Sequence, residues 1–170
     1  MVEPGQNRKI AALRSSMCVH FFYYCSYMRG VVVIDKYMNL AVEQAKIAFD
    51  NNDVPVGAVI VMGDRVLSSC FNRKNIDNVA VFHAEILCII EASRKLGSWY
   101  LNDCDLYVTL KPCNMCMYAI AESRIKNVYY LMDSNYVDNL DKNFAKINFN
   151  SVEDKYKYSD MLTSFFKKLR

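Results

Sequence analysis

Apolar residues recur at three- and four-residue steps near the start of the regular part of the chain. Between Lys36 and Phe49 the apolar positions are Met38, Ala41, Val42, Ala45 and Phe49. This spacing places one apolar stripe along a helix, which can bury the stripe against a core. The pattern therefore predicts a first amphipathic helix over residues 36–49.

The pattern then changes to short apolar runs rich in β-branched residues. Val56–Met62 and Arg65–Phe71 are two such runs, and a Gly-Asp pair separates them. Runs of this kind on either side of a two-residue turn are typical of a β-hairpin. We therefore expect two antiparallel strands, followed by a polar loop over Asn72–Asn78.

Helical and strand patterns alternate in the rest of the chain. The predicted order is a helix over 83–96 ended by Gly97, a strand over 106–110, a helix over 112–123 opened by Pro112, a strand over 128–132, and a terminal helix over 160–170. Residues 133–157 have no clean period. Because helices in such an order cover the faces of a sheet, the chain is predicted to form an α/β sandwich around a mixed sheet.

The composition is that of one globular domain. The chain has 170 residues, of which 53% are hydrophobic, and its net charge of +3 arises from 21 basic and 18 acidic residues. This charge neither demands nor excludes a nucleic-acid partner. Seven cysteines without regular spacing argue against a disulfide framework and favour a reducing, cytoplasmic compartment. Cys70, Cys88 and Cys104 are predicted core residues.

The first residues do not follow the regular pattern. A basic start leads into a mostly apolar and aromatic stretch, Met17–Ile34, which is similar to a signal peptide or a membrane anchor. Arg29 and Gly30 interrupt it, so it lacks the roughly 20 apolar residues that a membrane helix needs. We predict that residues 1–34 are an extension outside the catalytic fold, that residues 35–170 form the functional domain, and that there is no stable membrane association. An anchor or an interface element is the alternative.

Two cysteines three residues apart, Cys113 and Cys116, share one face of a predicted helical turn. The spacing alone is ambiguous, because redox pairs and half of a zinc ribbon share it. Of the two histidines, His83 stands at a predicted helix start, whereas His20 lies in the N-terminal stretch. We therefore predict that His83, Cys113 and Cys116 hold one zinc ion per chain, with the fourth tetrahedral position open as in catalytic sites.

Glu85 completes the pattern, since it stands two residues after His83. The combination H-x-E followed by P-C-x-x-C is the signature of zinc deaminases. In such sites zinc makes hydroxide available near neutral pH, and the glutamate passes protons to the ring and the leaving amine without binding the metal. The alternative is a core histidine, a solvated glutamate and cysteines that serve the core or redox chemistry.

Further motifs accompany this signature. They are Val54-Pro55-Val56-Gly57-Ala58-Val59-Ile60-Val61, Asn72-Arg73, His83-Ala84-Glu85-Ile86, Leu106-Tyr107-Val108-Thr109-Leu110, Pro112-Cys113-x-Met115-Cys116 and Ser123-Arg124-Ile125. Together they resemble the bacterial tRNA-specific adenosine deaminase family of the cytidine-deaminase superfamily, from about Tyr37 to Tyr130 and again at Ser164-Phe165-Phe166. The resemblance implies a three-layer α/β/α sandwich with a central mixed sheet, a homodimer, and a zinc-dependent hydrolytic deaminase. It also implies conversion of adenosine to inosine at the wobble position (34) of an arginine tRNA.

The same resemblance assigns residues to the substrate. It implies that Asn72 contacts the target base and that its pocket is lined by Val56, Gly57 and Ala58. It also places the C-terminal end near RNA, where the candidate RNA contacts are Lys167, Lys168 and Arg170 beside Phe165 and Phe166. Candidates for stacking on a base are Tyr129, Tyr130 and Tyr136. The alternative is an ordinary amphipathic helix with solvated cations, and tyrosines that serve core and interface.

Three segments depart from the family pattern and leave the substrate open. Ala80-Val81-Phe82 precedes the histidine, and Phe82 is predicted to narrow or reshape the pocket. Lys111 stands where the family has glutamate, and 131–136 replaces a glycine-rich segment. A deaminase of a free base, nucleoside or nucleotide, such as guanine or cytidine, is therefore an alternative, as is an inactive zinc-binding protein.

Overall fold

The computed structural model describes residues 32–134 and 146–169. In this part of the chain the elements are α1 (residues 32–50), β1 (Gly57–Met62), β2 (Arg65–Phe71), α2 (Ala84–Leu96), β3 (Cys104–Leu110), α3 (Asn114–Glu122), β4 (Asn127–Met132), β5 (Asn148–Ser151) and α4 (Tyr158–Lys168). By its internal contacts the chain divides into two units, Met1–Lys36 and Tyr37–Arg170. The description below concerns the second.

The five strands form one sheet in the order β2-β1-β3-β4-β5. Strand β1 runs antiparallel to β2 and to β3, whereas β3, β4 and β5 are parallel to one another. The predicted hairpin is therefore confirmed, and so is the mixed sheet. Because β3 and β4 are parallel, their carboxyl ends meet at the same edge of the sheet.

Side chains alternate between the two faces of the sheet, as strand geometry requires. On one face, residues of β1, β3 and β4 form a core cluster with helices α2 and α3, including Ala58, Ile60, Leu106, Val108, Val128, Ala84, Cys88, Met117 and Ile120. On the other face, the ring of Tyr107 lies 5.2 Å from that of Tyr37 in α1. Phe49 of α1 in turn contacts Phe165 of α4, with ring centroids 6.3 Å apart. The sheet thus lies between two helical layers, which confirms the α/β/α sandwich.

Gly57 allows α1 to approach the sheet closely. A Cβ atom at this position would lie 2.0 Å from the Ala41 carbonyl oxygen and 2.5 Å from the Ala45 nitrogen. These are backbone atoms of a packed helix, so they cannot move aside as a flexible side chain would. Only glycine therefore permits this spacing between β1 and α1.

The ends of the two central helices follow the sequence closely but not completely. Gly97 ends α2 in the left-handed conformation at φ 66°, as predicted. Helix α3, however, begins at Asn114 with Cys113 as its extended N-cap, so Pro112 precedes the helix instead of opening it. The reason is that Cys113 keeps the extended backbone of the segment that leaves β3.

Strand β5 has no counterpart in the predicted elements, which left residues 133–157 without regular structure. Its residues are Asn-Phe-Asn-Ser, and neither their polarity nor their period indicates a strand. Amide side chains instead join it to the sheet: Asn127 Nδ2 donates to Asp105 Oδ1 at 2.8 Å, and Asn148 Nδ2 donates to Asn127 Oδ1 at 3.0 Å. These three residues are partners in the parallel register.

The apolar stretch at the start of the chain lies almost wholly outside the described residues. The predicted extension over residues 1–34 therefore stays a prediction, and Tyr136 and Arg170 also lie outside. Among the helices of the described ranges, none combines the length and the apolar character that crossing a lipid bilayer requires.

Candidate active site

A cavity of about 370 Å³ opens where β3 and β4 end. It is lined by Val54, Val56, Asn72, Lys74, His83, Glu85, Leu110, Lys111, Cys113, Ser134 and Phe166. In open α/β sheets this edge, beyond the carboxyl ends of the parallel strands, is where ligands bind. The volume lies in the range of small-molecule sites, about 300–1,000 Å³.

Three potential metal ligands lie close together at the cavity, where His83 and Cys113 line the wall and Cys116 is buried behind it. His83 is the N-cap of α2, Cys113 is the N-cap of α3, and Cys116 lies one helical turn further on. The His83 Nδ1 atom lies 3.6 Å from Cys113 Sγ and 3.5 Å from Cys116 Sγ. The two sulfur atoms are 3.7 Å apart. In the described part of the chain these residues form the one His/Cys/carboxylate group of this kind.

The dimensions of this triangle fit a zinc ion. Zinc binds sulfur at about 2.3 Å and imidazole nitrogen at about 2.0–2.1 Å, in tetrahedral geometry. Those bond lengths require about 3.8 Å between two sulfur atoms and about 3.6 Å between sulfur and nitrogen. The observed separations of 3.7 Å, 3.6 Å and 3.5 Å agree with both values. The three residues can therefore hold zinc as they stand, with the ligand number of a catalytic site.

In the absence of metal, the pKa values of the two thiols are shifted in opposite directions. A hydrogen bond from Cys116 lowers the pKa of the Cys113 thiol to about 4, whereas the same hydrogen bond and burial raise the pKa of Cys116. The pKa of His83 is raised, chiefly by its hydrogen bond with Cys113. Because zinc binds thiolates, binding of a metal by these two cysteines requires the release of their thiol protons.

Glu85 lies beside the triangle but outside it. It is the second residue of α2, its side chain is buried, and it lines the same cavity. Burial raises the pKa of its carboxyl from 4.5 to about 7. Its Oε2 atom is buried without a hydrogen-bond partner among the described residues. A carboxyl group with a pKa near 7 and a free oxygen is suited to accept and return a proton at neutral pH.

Asn72 is held at the cavity wall directly after β2. It is 4% exposed, and its Nδ2 donates to Asp53 Oδ1 at 2.7 Å. Asp53 has no sequence motif that relates it to Asn72, and it was missing from the predicted site. Val56 lies on the same wall, so the structure brings two of the four predicted base-pocket residues to the cavity.

Gly57 and Ala58 are buried in β1, outside the cavity lining. The Gly57 N–H donates to Thr109 Oγ1 at 3.2 Å, and the Ala58 carbonyl accepts from Cys88 Sγ at 3.1 Å. Their role in lining a base pocket stays a prediction. Phe82 also lies outside this lining, because it faces a neighbouring groove with Arg73.

Six further lining residues were not assigned to the pocket from the sequence, namely Val54, Lys74, Leu110, Lys111, Ser134 and Phe166. Lys111 donates to Asp133 at 2.7 Å, and its ammonium lies 5.3 Å from the ring centroid of Tyr130. This lysine is a departure from the family pattern, which could have indicated a changed cavity wall. Lys74 stands two residues after Asn72, and this position was the only feature of the sequence that could have indicated that it lines the cavity.

Some of the predicted C-terminal RNA contacts pack against the rest of the protein, and others are exposed or line the cavity. Phe165 is buried at 4% exposure, whereas Phe166 is 47% exposed and lines the cavity. Lys167 is exposed, and the ammonium of Lys168 lies 4.3 Å above the ring of Phe49. The described tyrosines that were candidates for base stacking pack within the fold. Tyr129 stacks on Tyr107 with ring centroids 4.7 Å apart, and Tyr130 is buried.

This sheet order, with its ligands on the starts of two adjacent helices, places the protein among deaminases with the cytidine-deaminase-like fold. Within that class the match is more specific. The chain belongs to the MafB19-like deaminase family, whose family model matches residues 34–170.

Named relatives support the resemblance found in the sequence. A tRNA-specific adenosine deaminase of Rickettsia felis is 50% identical over 95 residues, which are 55% of this chain and 66% of that relative, so the match spans just under two thirds of its length. A tRNA-specific adenosine deaminase of Aquifex aeolicus is 38% identical over 149 residues, 79% of this chain and 94% of that relative. A solved structure from a study of A-to-I editing by tRNA:A34 deaminases has a TM-score of 0.64 and 34% identity, and the match covers 69% of this chain and 98% of that one. The predicted family resemblance is confirmed.

Proposed function

We propose that this protein is a zinc-dependent hydrolytic deaminase that converts adenosine to inosine at the wobble position (34) of tRNA. The observation that carries the proposal is the His83, Cys113 and Cys116 triangle, whose dimensions fit zinc, beside the buried carboxyl of Glu85. The names of the relatives support the choice of tRNA adenosine as substrate. An intact Glu85 argues against the alternative of an inactive zinc-binding protein.

Each residue of the site has a proposed role. His83, Cys113 and Cys116 would hold one zinc ion per chain, and zinc in such a site supplies Lewis-acid activation of water. Glu85 would carry one proton from the attacking water to a ring nitrogen and then a second proton, from the newly added hydroxyl group, to the amine. The C–N bond then breaks, so adenosine and water give inosine and ammonia. Asn72 contacts the base, in a pocket that Val56, Gly57 and Ala58 help to form.

The rim of the cavity suits a nucleotide within RNA. Lys74 is exposed and provides positive charge, and Phe166 provides an exposed aromatic ring. Bases turned out of single-stranded RNA stack on aromatic side chains, while cations contact the phosphates. A free base would need only the interior of the cavity, so the rim favours RNA over the alternative of a free base, nucleoside or nucleotide.

The test separates these substrates directly. The zinc-loaded full-length protein is incubated with unmodified tRNA and, in parallel, with free adenosine, cytidine and guanine, and the Glu85→Gln variant serves as the control. We expect inosine at the first anticodon position of tRNA and no comparable release of ammonia from the small molecules. Deamination of a free base or nucleoside with an equal or higher kcat/KM would contradict the tRNA assignment.

We also propose that Lys167 and Lys168 at the end of α4, together with Arg170 outside the described residues, contact RNA. Each phosphate contact contributes about 0.7 to the log-log salt slope of single-strand binding. Replacing all three cations with alanine is therefore expected to flatten the slope by about 2 and to weaken tRNA binding, without changing zinc content. Binding isotherms at several salt concentrations measure this slope.

A matched control removes three cations at the opposite end of the sheet. Arg65, Lys95 and Lys126 are exposed and lie near the start of β2, the end of α2 and the start of β4. Their replacement removes the same net charge but at a distance from the cavity. Most of the salt slope should therefore remain. Equal effects of the two triple variants would mean that α4 has no specific role in binding RNA.

Three broader features belong to the same proposal. Residues 35–170 form the deaminase domain, supported by the family match from residue 34. A homodimer follows from the resemblance to the deaminase family. A cytoplasmic location fits a tRNA substrate and the five described cysteines, which are all free.

A further inference from the structure

Asp53 is a buried carboxylate between α1 and β1, with four donors around it. Its exposure is 0%. Oδ1 accepts from Asn72 Nδ2 at 2.7 Å and from the Val54 N–H at 2.8 Å. Oδ2 accepts from the N–H groups of Asn75 and Ile76 at 2.8 Å and 3.1 Å. One side chain thus joins the start of β1, the end of β2 and the loop that follows it.

Neutral donors hold this carboxylate. None of the ion pairs in the described ranges includes Asp53, so its charge is compensated by hydrogen bonds alone. Hydrogen bonds to charged groups are the stronger ones, and removing such an acceptor leaves the buried donors unpaired. The pairing of Asp53 with Asn72 is therefore a fixed contact at the cavity wall.

The carboxylate also decides which way the Asn72 amide points. An amide can exchange its oxygen and nitrogen by a half-turn of the side chain, so its orientation must come from its partners. A carboxylate only accepts hydrogen bonds, and it would repel Oδ1 of Asn72. Nδ2 must therefore face Asp53, and Oδ1 is turned away from it; no hydrogen bond to Oδ1 occurs among the described residues.

We propose that Asp53 is a positioning residue that fixes the direction in which Asn72 presents its amide to the substrate. The inference rests on the proposed contact between Asn72 and the base. Of the residues that line the cavity, Val54 and Asn72 are the ones that donate hydrogen bonds to Asp53 in the described ranges, so its influence on the reaction is expected to pass through them. Through its hydrogen bonds with the N–H groups of Asn75 and Ile76, Asp53 also holds the loop after β2 next to Asn72.

A double-mutant cycle on tRNA deamination tests the inference. Asp53→Asn keeps the shape of the side chain but allows the Asn72 amide to turn over. We expect kcat/KM to fall about tenfold, the equivalent of one lost hydrogen bond, chiefly through KM and with unchanged zinc content. In an Asn72→Ala background the same substitution should change kcat/KM less than about twofold, because residues that act as one unit are not additive.

Asp77→Asn is the matched control in the same loop. Asp77 pairs with Arg73 at 2.9 Å and makes no described contact with Asn72, so its replacement should leave kcat/KM near that of the wild type. Independent of activity, the side-chain amide resonances of Asn72 should shift in Asp53→Asn and stay in place in Asp77→Asn. Exchange of the Asn75 and Ile76 amides should also accelerate in Asp53→Asn alone.

Additive effects of Asp53→Asn and Asn72→Ala would overturn the inference, as would unchanged Asn72 amide resonances in Asp53→Asn. If Asp53→Asn only impaired folding, zinc content would fall, and kcat/KM would fall equally in the wild-type and Asn72→Ala backgrounds. If the wild type deaminates no substrate, the proposed function fails, and the amide resonances still decide whether Asp53 orients Asn72.

Discussion

Replacing Glu85 with glutamine is expected to lower kcat by about 10²- to 10⁴-fold while zinc stays bound at about one ion per chain. Glutamine keeps the shape and the burial of the side chain but cannot accept a proton. Glu85 lies outside the ligand triangle, so the metal should not depend on its charge. Single-turnover assays on tRNA and metal analysis measure the two quantities. Glu91→Gln, on the exposed side of the same helix, is the matched control.

The same variant should also change the stability of the metal-free protein. Burial raises the pKa of Glu85 from 4.5 to about 7, so the folded state holds this proton more tightly than the unfolded state. Relative to Glu85→Gln, the metal-free wild type should therefore lose stability as the pH rises through this interval, by up to about 3 kcal/mol. The variant lacks this titration, so its stability should increase relative to that of the wild type between acid pH and pH 8. Urea unfolding at acid and alkaline pH measures the difference.

Two results would contradict the role of Glu85. One is a variant that keeps more than about a tenth of the wild-type rate, because a proton carrier contributes more than that. The other is loss of zinc from Glu85→Gln, which would make the carboxylate a ligand instead of a base. An equal pH dependence of stability in the variant and the wild type would assign the titration to another group.

Replacing Cys113 or Cys116 with serine is expected to reduce zinc from about one ion per chain to well below that, and to abolish activity. The triangle has three protein ligands, so the loss of one leaves too few strong donors to hold the ion. Zinc affinity of the wild type should also fall as the pH falls, because the Cys116 thiol has a raised pKa and must release its proton to bind metal. Metal analysis after dialysis and competition with a chelator at several pH values measure both effects.

Cys70→Ala and Cys104→Ala are the controls for this prediction. Both cysteines are buried in the core and lie outside the triangle. Their replacement costs packing, so stability should fall while zinc content is preserved. Full zinc content in Cys113→Ser and Cys116→Ser would remove the metal assignment, whatever the activity of these variants.

The cluster of His83, Cys113 and Cys116 was predictable because its residues are placed by local structure. His83 and Glu85 occupy the start of one helix, and Cys113 and Cys116 share one turn of another. Helix starts are readable from the sequence, and the known signature connects the two. The short apolar runs likewise predicted four of the five strands, since each contributes buried residues to the helix-covered core.

The remaining features depend on contacts between distant parts of the chain. Asp53 meets Asn72 across 19 residues, and Phe166 reaches a cavity whose metal ligands lie at least 50 positions earlier. The periodicity of apolar residues within one segment cannot predict contacts between residues so far apart in the sequence. Strand β5 is polar and owes its place to pairing with β4 and to the amide contact of Asn148 with Asn127, so hydrophobic alternation could not reveal it.

The position of Phe166 has a consequence for the order of events during protein synthesis. Ribosomes deliver the chain from its N-terminus, so Cys116 is made before the helix that carries Phe166. His83, Cys113 and Cys116 are therefore all synthesised before Phe166 is available to complete the cavity. Capture of zinc and competence to bind a substrate would then be successive stages of maturation, separated by the synthesis of β5 and α4.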